Sequence, residues 1–139
     1  MATKSLEVGP RTGETEKLTI NLGVVDLGQV DLLVQEGFYS NRTDLIRTAI
    51  RNQLSVHADA VKRTVARRTL FLGLQHLSRA DLERAAAAGE MLQIQVVGLA
   101  RIADDVPAEL ARATIQSIVV LGAFHASAAV RNALADRIH

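Results

Sequence analysis

The sequence predicts an α+β protein in two parts: a strand with two helices, then a small domain of about three β-α repeats around a parallel sheet. Three observations lead to this prediction. Residues 17–22 alternate between polar and apolar side chains, as a half-buried strand does. Two apolar stripes with helical spacing follow, up to residue 54. Beyond residue 69, glycines recur within apolar runs at nearly constant spacing, at Gly73, Gly98 and Gly122.

Composition limits the classes of protein to which this chain could belong. Nearly half of the 139 residues (48%) are apolar but only 3% are aromatic, so a core must be packed with aliphatic side chains. The absence of cysteine excludes disulfides and thiolate metal sites and fits a reducing compartment. Residues 1–15 are polar and predict a disordered arm, and neither a signal peptide nor an apolar run of bilayer length is visible. We therefore expect a cytoplasmic protein that does not enter a membrane.

The strand predicted over residues 17–22 has no partner strand nearby in the sequence. Its backbone donors and acceptors must be satisfied, so we expect it to pair with a second copy of the chain. Two such strands across a two-fold axis form a ribbon of a size that fits the DNA major groove. One face of the strand is apolar, with Leu18, Ile20 and Leu22, and the other can form hydrogen bonds, through Lys17, Thr19 and Asn21.

Two helices are predicted between residues 24 and 54. The first contains an apolar stripe and ends at Gly37, a residue that adopts positive φ without strain. Asn41 is placed to cap the second helix, with Asp44 three residues later to reach back. Arg47 and Arg51 lie one turn apart on a polar face, and for Arg51 a solvated surface is the preferred interpretation.

These residues carry a resemblance to a known family. Residues 16–54 resemble a ribbon-helix-helix domain of the Arc, MetJ and CopG type, an intertwined dimer that binds DNA. The most specific match is the junction 37–47, which reads GFYSNRTDLIR where such domains commonly read G-x-Y-x-S-R-S-E-L-I-R. Asn41, Thr43 and Asp44 replace residues with the same physical role. The remainder of the chain shows no resemblance that we could name.

The resemblance implies roles for two sets of residues. In the family the ribbon contacts base edges while the start of the second helix holds a DNA phosphate, for which its unpaired N–H groups are suited. The expected base contacts are Lys17, Thr19 and Asn21, and the expected phosphate contacts are Asn41, Arg42 and Thr43. The alternative is that the polar strand face is merely the surface of a dimeric scaffold.

Residues 55–68 are predicted to continue the second helix or to form a third. This linker is basic on one face, and it could touch flanking DNA phosphates or simply be solvated. The basic side chains are Lys62, Arg63, Arg67 and Arg68.

Residues 69–139 are predicted to form the β-α repeat domain. Its unbroken apolar runs are typical of buried parallel strands, and short helices are expected between them. Ser78, Asp105 and Ser127 are candidate caps for these helices. Because three strands leave exposed sheet edges, we expect this domain to mediate oligomerisation or to bind a protein partner.

Chemistry in this domain is not predicted. His76 and His125 follow related strands, but no dense cluster of histidines exists, so neither a metal nor a cofactor is expected. Asp104, Asp105 and Glu109 are explained by the start of a helix, where acids are favourable. No phosphate loop or nucleophile motif appears, so the chain is not expected to be an enzyme.

The sequence thus predicts a transcriptional regulator, most simply a repressor, that binds an operator in double-stranded DNA as a homodimer or higher oligomer. One alternative is the antitoxin of a toxin–antitoxin pair, whose tail wraps a toxin. Such tails are commonly polar and disordered before binding, whereas this one is apolar and patterned. Another alternative is an assembly or scaffold protein that oligomerises through the β-α region. A third is a regulator whose C-terminal region binds a small effector.

Overall fold

The computed structural model describes residues 14–139, and these residues divide into two compact units. The smaller unit comprises Glu16–Thr64. The larger unit comprises Val65–His139 together with the two described residues that precede Glu16. The arm predicted over residues 1–15 therefore lies outside the described residues except for Glu14 and Thr15.

Three helices follow one another from the smaller unit into the start of the larger one. They are α1 (Val24–Gln35), α2 (Arg42–Val56) and α3 (Ala58–Arg67). The N–H groups of Gly37 and Phe38 donate to carbonyls in the last turn of α1, and Gly37 has φ +86°, as predicted for a helix end. The segment 55–68 contains the end of α2 and all of α3, separated at His57.

The segment 17–22, predicted to be a strand, has no regular secondary structure in the single chain. A strand exists only as part of a hydrogen-bonded ladder, and residues 14–139 offer this segment no partner strand. The ribbon shared between two chains stays a prediction.

The larger unit contains three β-α repeats, as predicted. Its elements are β1 (Phe71–Leu77), α4 (Arg79–Ala87), β2 (Leu92–Ile102), α5 (Ala108–Thr114), β3 (Ile115–His125) and α6 (Ala128–Ala133), followed by a 3₁₀ turn over Ala135–Arg137. The strands form one sheet in the order β1-β2-β3, and both pairings are parallel. The predicted parallel sheet is confirmed.

The core of the larger unit lies between the sheet and a layer of helices. Helix α5 packs against both α4 and α6, so the three helices form one layer. Apart from Thr114, the fully buried side chains are aliphatic and come from both layers; the largest include Leu82, Ile94, Ile102, Ile115, Ile118 and Leu134. On the opposite face of the sheet, Leu72, Leu74 and Leu121 are each at least 50% exposed, whereas Leu99 is 8% exposed.

The recurring glycines form a row across the sheet. Gly73 pairs with Gly98, and Gly98 pairs with Gly122. All three have positive φ, between 121° and 144°. A Cβ atom on Gly98 would lie 2.2 Å from the carbonyl oxygen of Gly73, and one on Gly122 would lie 2.1 Å from that of Gly98. The spacing seen in the sequence thus reflects close approach of neighbouring strands.

Two of the three predicted caps are confirmed and one is wrong. Ser78 and Asp81 form a complete capping box at α4, and the Ser127 side chain accepts from the N–H of Val130 at α6. Asp105 does not cap α5. The N-cap position is Pro107, with extended ψ of 150° and no side-chain cap, so Asp105 lies two residues too early to reach the first free N–H groups.

Candidate nucleic-acid interface

The three predicted base-contacting side chains are fully available in the single chain. Lys17, Thr19 and Asn21 are exposed, and none forms a hydrogen bond with a described residue. The alternating apolar side chains are exposed as well: Leu18 by 76% and Ile20 by 53%. The segment therefore has one polar and one apolar set of side chains, neither of them covered.

The smaller unit has an apolar surface but no core of its own. Among the described residues, none before Leu82 in the chain is buried. The exposed side chains come from the segment before α1 and from both helices; they include Leu22, Val24, Leu32, Leu33, Ile50 and Leu54. So much uncovered apolar surface on so small a unit marks an interface.

Asn41 caps α2 as predicted. It has extended backbone, with φ −166°, and its Oδ1 accepts from the N–H of Asp44 at 2.8 Å. Asp44 reaches back with its carboxylate, but to the N–H of Ser40 at 2.9 Å. The two contacts fix the helix start and the turn that precedes it, so the free N–H groups of the first turn point in a defined direction.

A concavity of about 450 Å³ lies at this helix start. It brings together two of the predicted phosphate contacts, Asn41 and Thr43, with Ser40 and Asp44. Arg47 and Arg51 complete its wall. Neither arginine forms an ion pair with a described residue, so two guanidinium groups are available beside the helix start.

Arg47 and Arg51 were not predicted to belong to the phosphate site. The sequence contains a signal for them, because residues four apart lie on one side of a helix. Thr43, Arg47 and Arg51 are spaced in this way, so both arginines continue the line that begins in the first turn of α2. Arg51 is exposed, as expected for a solvated position, and it also lines the concavity.

Arg42 is oriented differently from Asn41 and Thr43. Its guanidinium forms a bidentate pair with Asp31 of α1, with Nε to Oδ1 at 2.7 Å and Nη2 to Oδ2 at 2.8 Å. Hydrogen bonding from Arg42 holds the pKa of the Asp31 carboxyl below its ordinary value, and the same hydrogen bonds raise the pKa of Arg42. Arg42 thus joins α1 to α2.

The basic residues at the end of the helical segment are exposed. Lys62, Arg63, Arg67 and Arg68 form no ion pair with any described residue. They alternate with partly buried positions such as Thr64 and Val65. Their charges are therefore available to an external anion.

Two kinds of feature are absent from the described part of the chain. No group of three His, Cys, Asp or Glu side chains within residues 14–139 is arranged to hold a metal ion. No helix in the same range has the length and hydropathy needed to span a membrane.

Comparison with known proteins agrees with this geometry. The model of a ribbon-helix-helix transcriptional regulator family matches residues 13–131, which extends well beyond the region 16–54 where the motifs lie. No curated protein and no solved structure matches significantly. Since the family model covers both the helical unit and most of the β-α repeats, the chain belongs to the ribbon-helix-helix transcriptional regulator family.

Proposed function

We propose that this protein is a sequence-specific transcriptional repressor that reads an operator with a two-stranded antiparallel ribbon. Two chains pair through residues 17–22, and Lys17, Thr19 and Asn21 of each chain contact base edges in the major groove. Asparagine suits adenine and lysine suits guanine. The protein acts in the cytoplasm and needs no cofactor.

The observation that carries this proposal is the exposed apolar side of the smaller unit. Leu18, Ile20 and Leu22 lie uncovered beside two helices that bury nothing. A second copy of the same segment covers them, satisfies its backbone hydrogen bonds and leaves the polar side chains outward. Pairing and base reading therefore depend on the same six residues.

The phosphate contact follows from the concavity at α2. We assign it to the first-turn N–H groups with Asn41 and Thr43, and we add Arg47 and Arg51 from the same wall. Arg42 reaches a phosphate only by exchanging one oxygen of Asp31 for a phosphate oxygen. Lys62, Arg63, Arg67 and Arg68 supply flanking contacts along the backbone.

The β-α domain is proposed to join dimers into a higher oligomer. The exposed side chains of Leu72, Leu74 and Leu121 on one face of its sheet favour assembly through this domain and keep the scaffold function as a second candidate. The antitoxin alternative is weakened, because residues 71–137 form a folded unit with buried aliphatic side chains.

The test begins by selecting preferred duplexes from a random library with the full chain. Affinities for a selected duplex and a scrambled one are then measured by fluorescence anisotropy. Replacing Lys17, Thr19 and Asn21 with Ala should reduce the ratio of the two affinities from at least about 10³ to near one. An unchanged ratio would exclude base reading by this face.

Two further variants complete the experiment. The double variant Arg47→Ala with Arg51→Ala should weaken binding to both duplexes by a similar factor. It should also reduce the slope of log K against the logarithm of the salt concentration by about 2. A loss confined to the selected duplex would contradict the phosphate role. Glu83→Ala with Arg84→Ala, on exposed positions of α4, is the matched control and should change neither affinity.

A further inference from the structure

A row of cationic and imidazole side chains crosses the carboxyl end of the sheet. His76 of β1, Arg101 of β2 and His125 of β3 are in register with one another. Nη2 of Arg101 lies 3.2 Å from Nδ1 of His125. Since Ile102 is buried under the helices, strand alternation places Arg101 on the opposite face of the sheet.

A small pocket lies at this end of β2 and β3. Its volume is about 240 Å³, and it is lined by Arg101, Ile102, Asp104 and His125. Asp104 is exposed, whereas the side chain of Ile102 is 1% exposed and belongs to the core on the other face of the sheet. The pocket thus combines a guanidinium and a carboxylate within a volume that suits only a small ligand.

The chain itself already places a carboxylate on Arg101. Oε2 of Glu14 lies 3.0 Å from Nη2 of Arg101, and the two side chains are only 29% and 39% exposed. Both contacts of Arg101 with Glu14 and His125 use Nη2. A free carboxylate could instead form two parallel hydrogen bonds with the planar guanidinium, which is the stronger arrangement.

We propose that this pocket binds a small amino acid, whose carboxylate replaces Glu14 on Arg101 and whose ammonium group faces Asp104. The carboxylate of Asp104 repels a phosphate or a polycarboxylate, and the ammonium group of a bound amino acid would neutralise it.

Glu14 is then an internal competitor for the site. Partly exposed ion pairs are weak, so Glu14 favours its own contact by no more than about fivefold. Removing its carboxylate should tighten amino-acid binding by roughly two- to sixfold, since the competitor is lost and the pocket is unchanged.

The site has a consequence for DNA binding, and this consequence rests on the proposed function. Glu14 lies three positions before Lys17, the first residue of the ribbon segment. An amino acid that displaces Glu14 therefore frees the chain directly before the ribbon, and DNA affinity responds to ligand only when Glu14 is present.

The test is a titration of the ¹⁵N-labelled full chain, observed by NMR at the Arg101 side chain and at the amides of residues 101–104 and 125. The probes are glycine, glutamate, acetate and inorganic phosphate. We expect saturable shifts with an amino acid, weaker shifts with acetate and none with phosphate. E14Q should bind the amino acid two- to sixfold more tightly, and R101Q should show no localised shifts.

Matched variants separate binding from folding. R79Q removes another arginine that pairs with a glutamate on the same domain, and it should bind as the wild type does. D104N should weaken binding of glycine but not of acetate. Equal shifts in R101Q and the wild type, or tighter binding of phosphate than of glycine, would overturn the proposal. If R101Q loses the native circular dichroism spectrum, the glycine affinities of D104N and E14Q decide instead.

The DNA readout is kept separate. If glycine binds and changes the DNA affinity of the wild type and of E14Q equally, the proposed coupling through Glu14 is wrong, but the binding site is confirmed. If the protein selects no duplex at all, the proposed function fails, and the NMR titration still decides whether the pocket binds an amino acid.

Discussion

At the scale of single residues, Gly98 lies where β1 and β3 both approach β2 closely. Its φ is +137°, and an added Cβ would lie 2.2 Å from the backbone oxygen of Gly73, which cannot move without breaking the sheet. Gly98→Ala therefore combines backbone strain with a steric clash and should lower the free energy of unfolding by about 3 kcal/mol or more. Urea denaturation of the full chain, observed by circular dichroism, measures this loss.

Two other glycines are matched controls that separate the cost of backbone strain from the cost of the steric clash. Gly89 has positive φ (+68°) but nothing within 4 Å of the position that an added methyl group would take, so Gly89→Ala should cost only about 1–2 kcal/mol. Gly28 lies within α1 with open space around it, so Gly28→Ala should stabilise that helix by roughly 0.5–1 kcal/mol. Equal losses for Gly98→Ala and Gly89→Ala would show that the strands simply move apart.

Residue roles were predictable where a local pattern determines them. Asn41, Ser78 and Ser127 act as caps because the cap contact spans three residues of sequence. The pair of Asp31 with Arg42 spans eleven residues and depends on how α1 meets α2. No sequence motif reports that packing, so Arg42 was assigned to phosphate contact alone.

At the scale of elements, three helices end with the same arrangement of hydrogen bonds. In α1 and α4 the second residue after the helix is a glycine with positive φ, Gly37 and Gly89. In α3 it is Thr69, with φ +54°. The N–H of Thr69 donates to Ala66 and that of Leu70 donates to Val65, which is the Schellman pattern with a β-branched residue in the left-handed region.

Thr69→Gly should therefore stabilise the end of α3. The left-handed conformation costs a residue with a Cβ about 1–2 kcal/mol, and the greater freedom of glycine in the unfolded chain offsets part of that gain. We expect a net gain of about 1 kcal/mol, seen as a higher melting temperature by calorimetry. Thr69→Ala keeps the Cβ and should gain less; a lower melting temperature for Thr69→Gly would mean that the threonine side chain contributes contacts at the junction.

Periodicity predicted the helices and the parallel strands, since both patterns are set by burial within one chain. It did not give the lengths of the strands, because β2 continues beyond Gly98 to Ile102. It also predicted a strand over residues 17–22 that the single chain does not form, because its ladder partner would belong to another chain.

At the scale of the whole molecule, the two units bury their apolar side chains differently. Every buried described residue lies from Leu82 onwards, within the β-α repeats. The smaller unit presents Leu18, Ile20 and Leu54 to solvent, each by more than half. A unit of this size cannot offset its conformational entropy without a core, so we propose that its folding is coupled to association with a second chain.

This coupling can be observed at a single side chain, because Tyr39 is the one tyrosine in the sequence and tryptophan is absent. Tyr39 lies between α1 and α2, so its fluorescence reports on the smaller unit. Dilution by about three orders of magnitude should change this signal cooperatively, together with a fall in molar mass by analytical ultracentrifugation.

Ile20→Asp should produce the signal of the dilute protein at all concentrations, because it places a charge in the proposed shared core. Lys17→Ala, on the opposite face of the segment, should leave the transition unchanged. A Tyr39 signal that stays constant while the mass is that of one chain would show that the smaller unit folds unaided, and the intertwined ribbon would then be excluded.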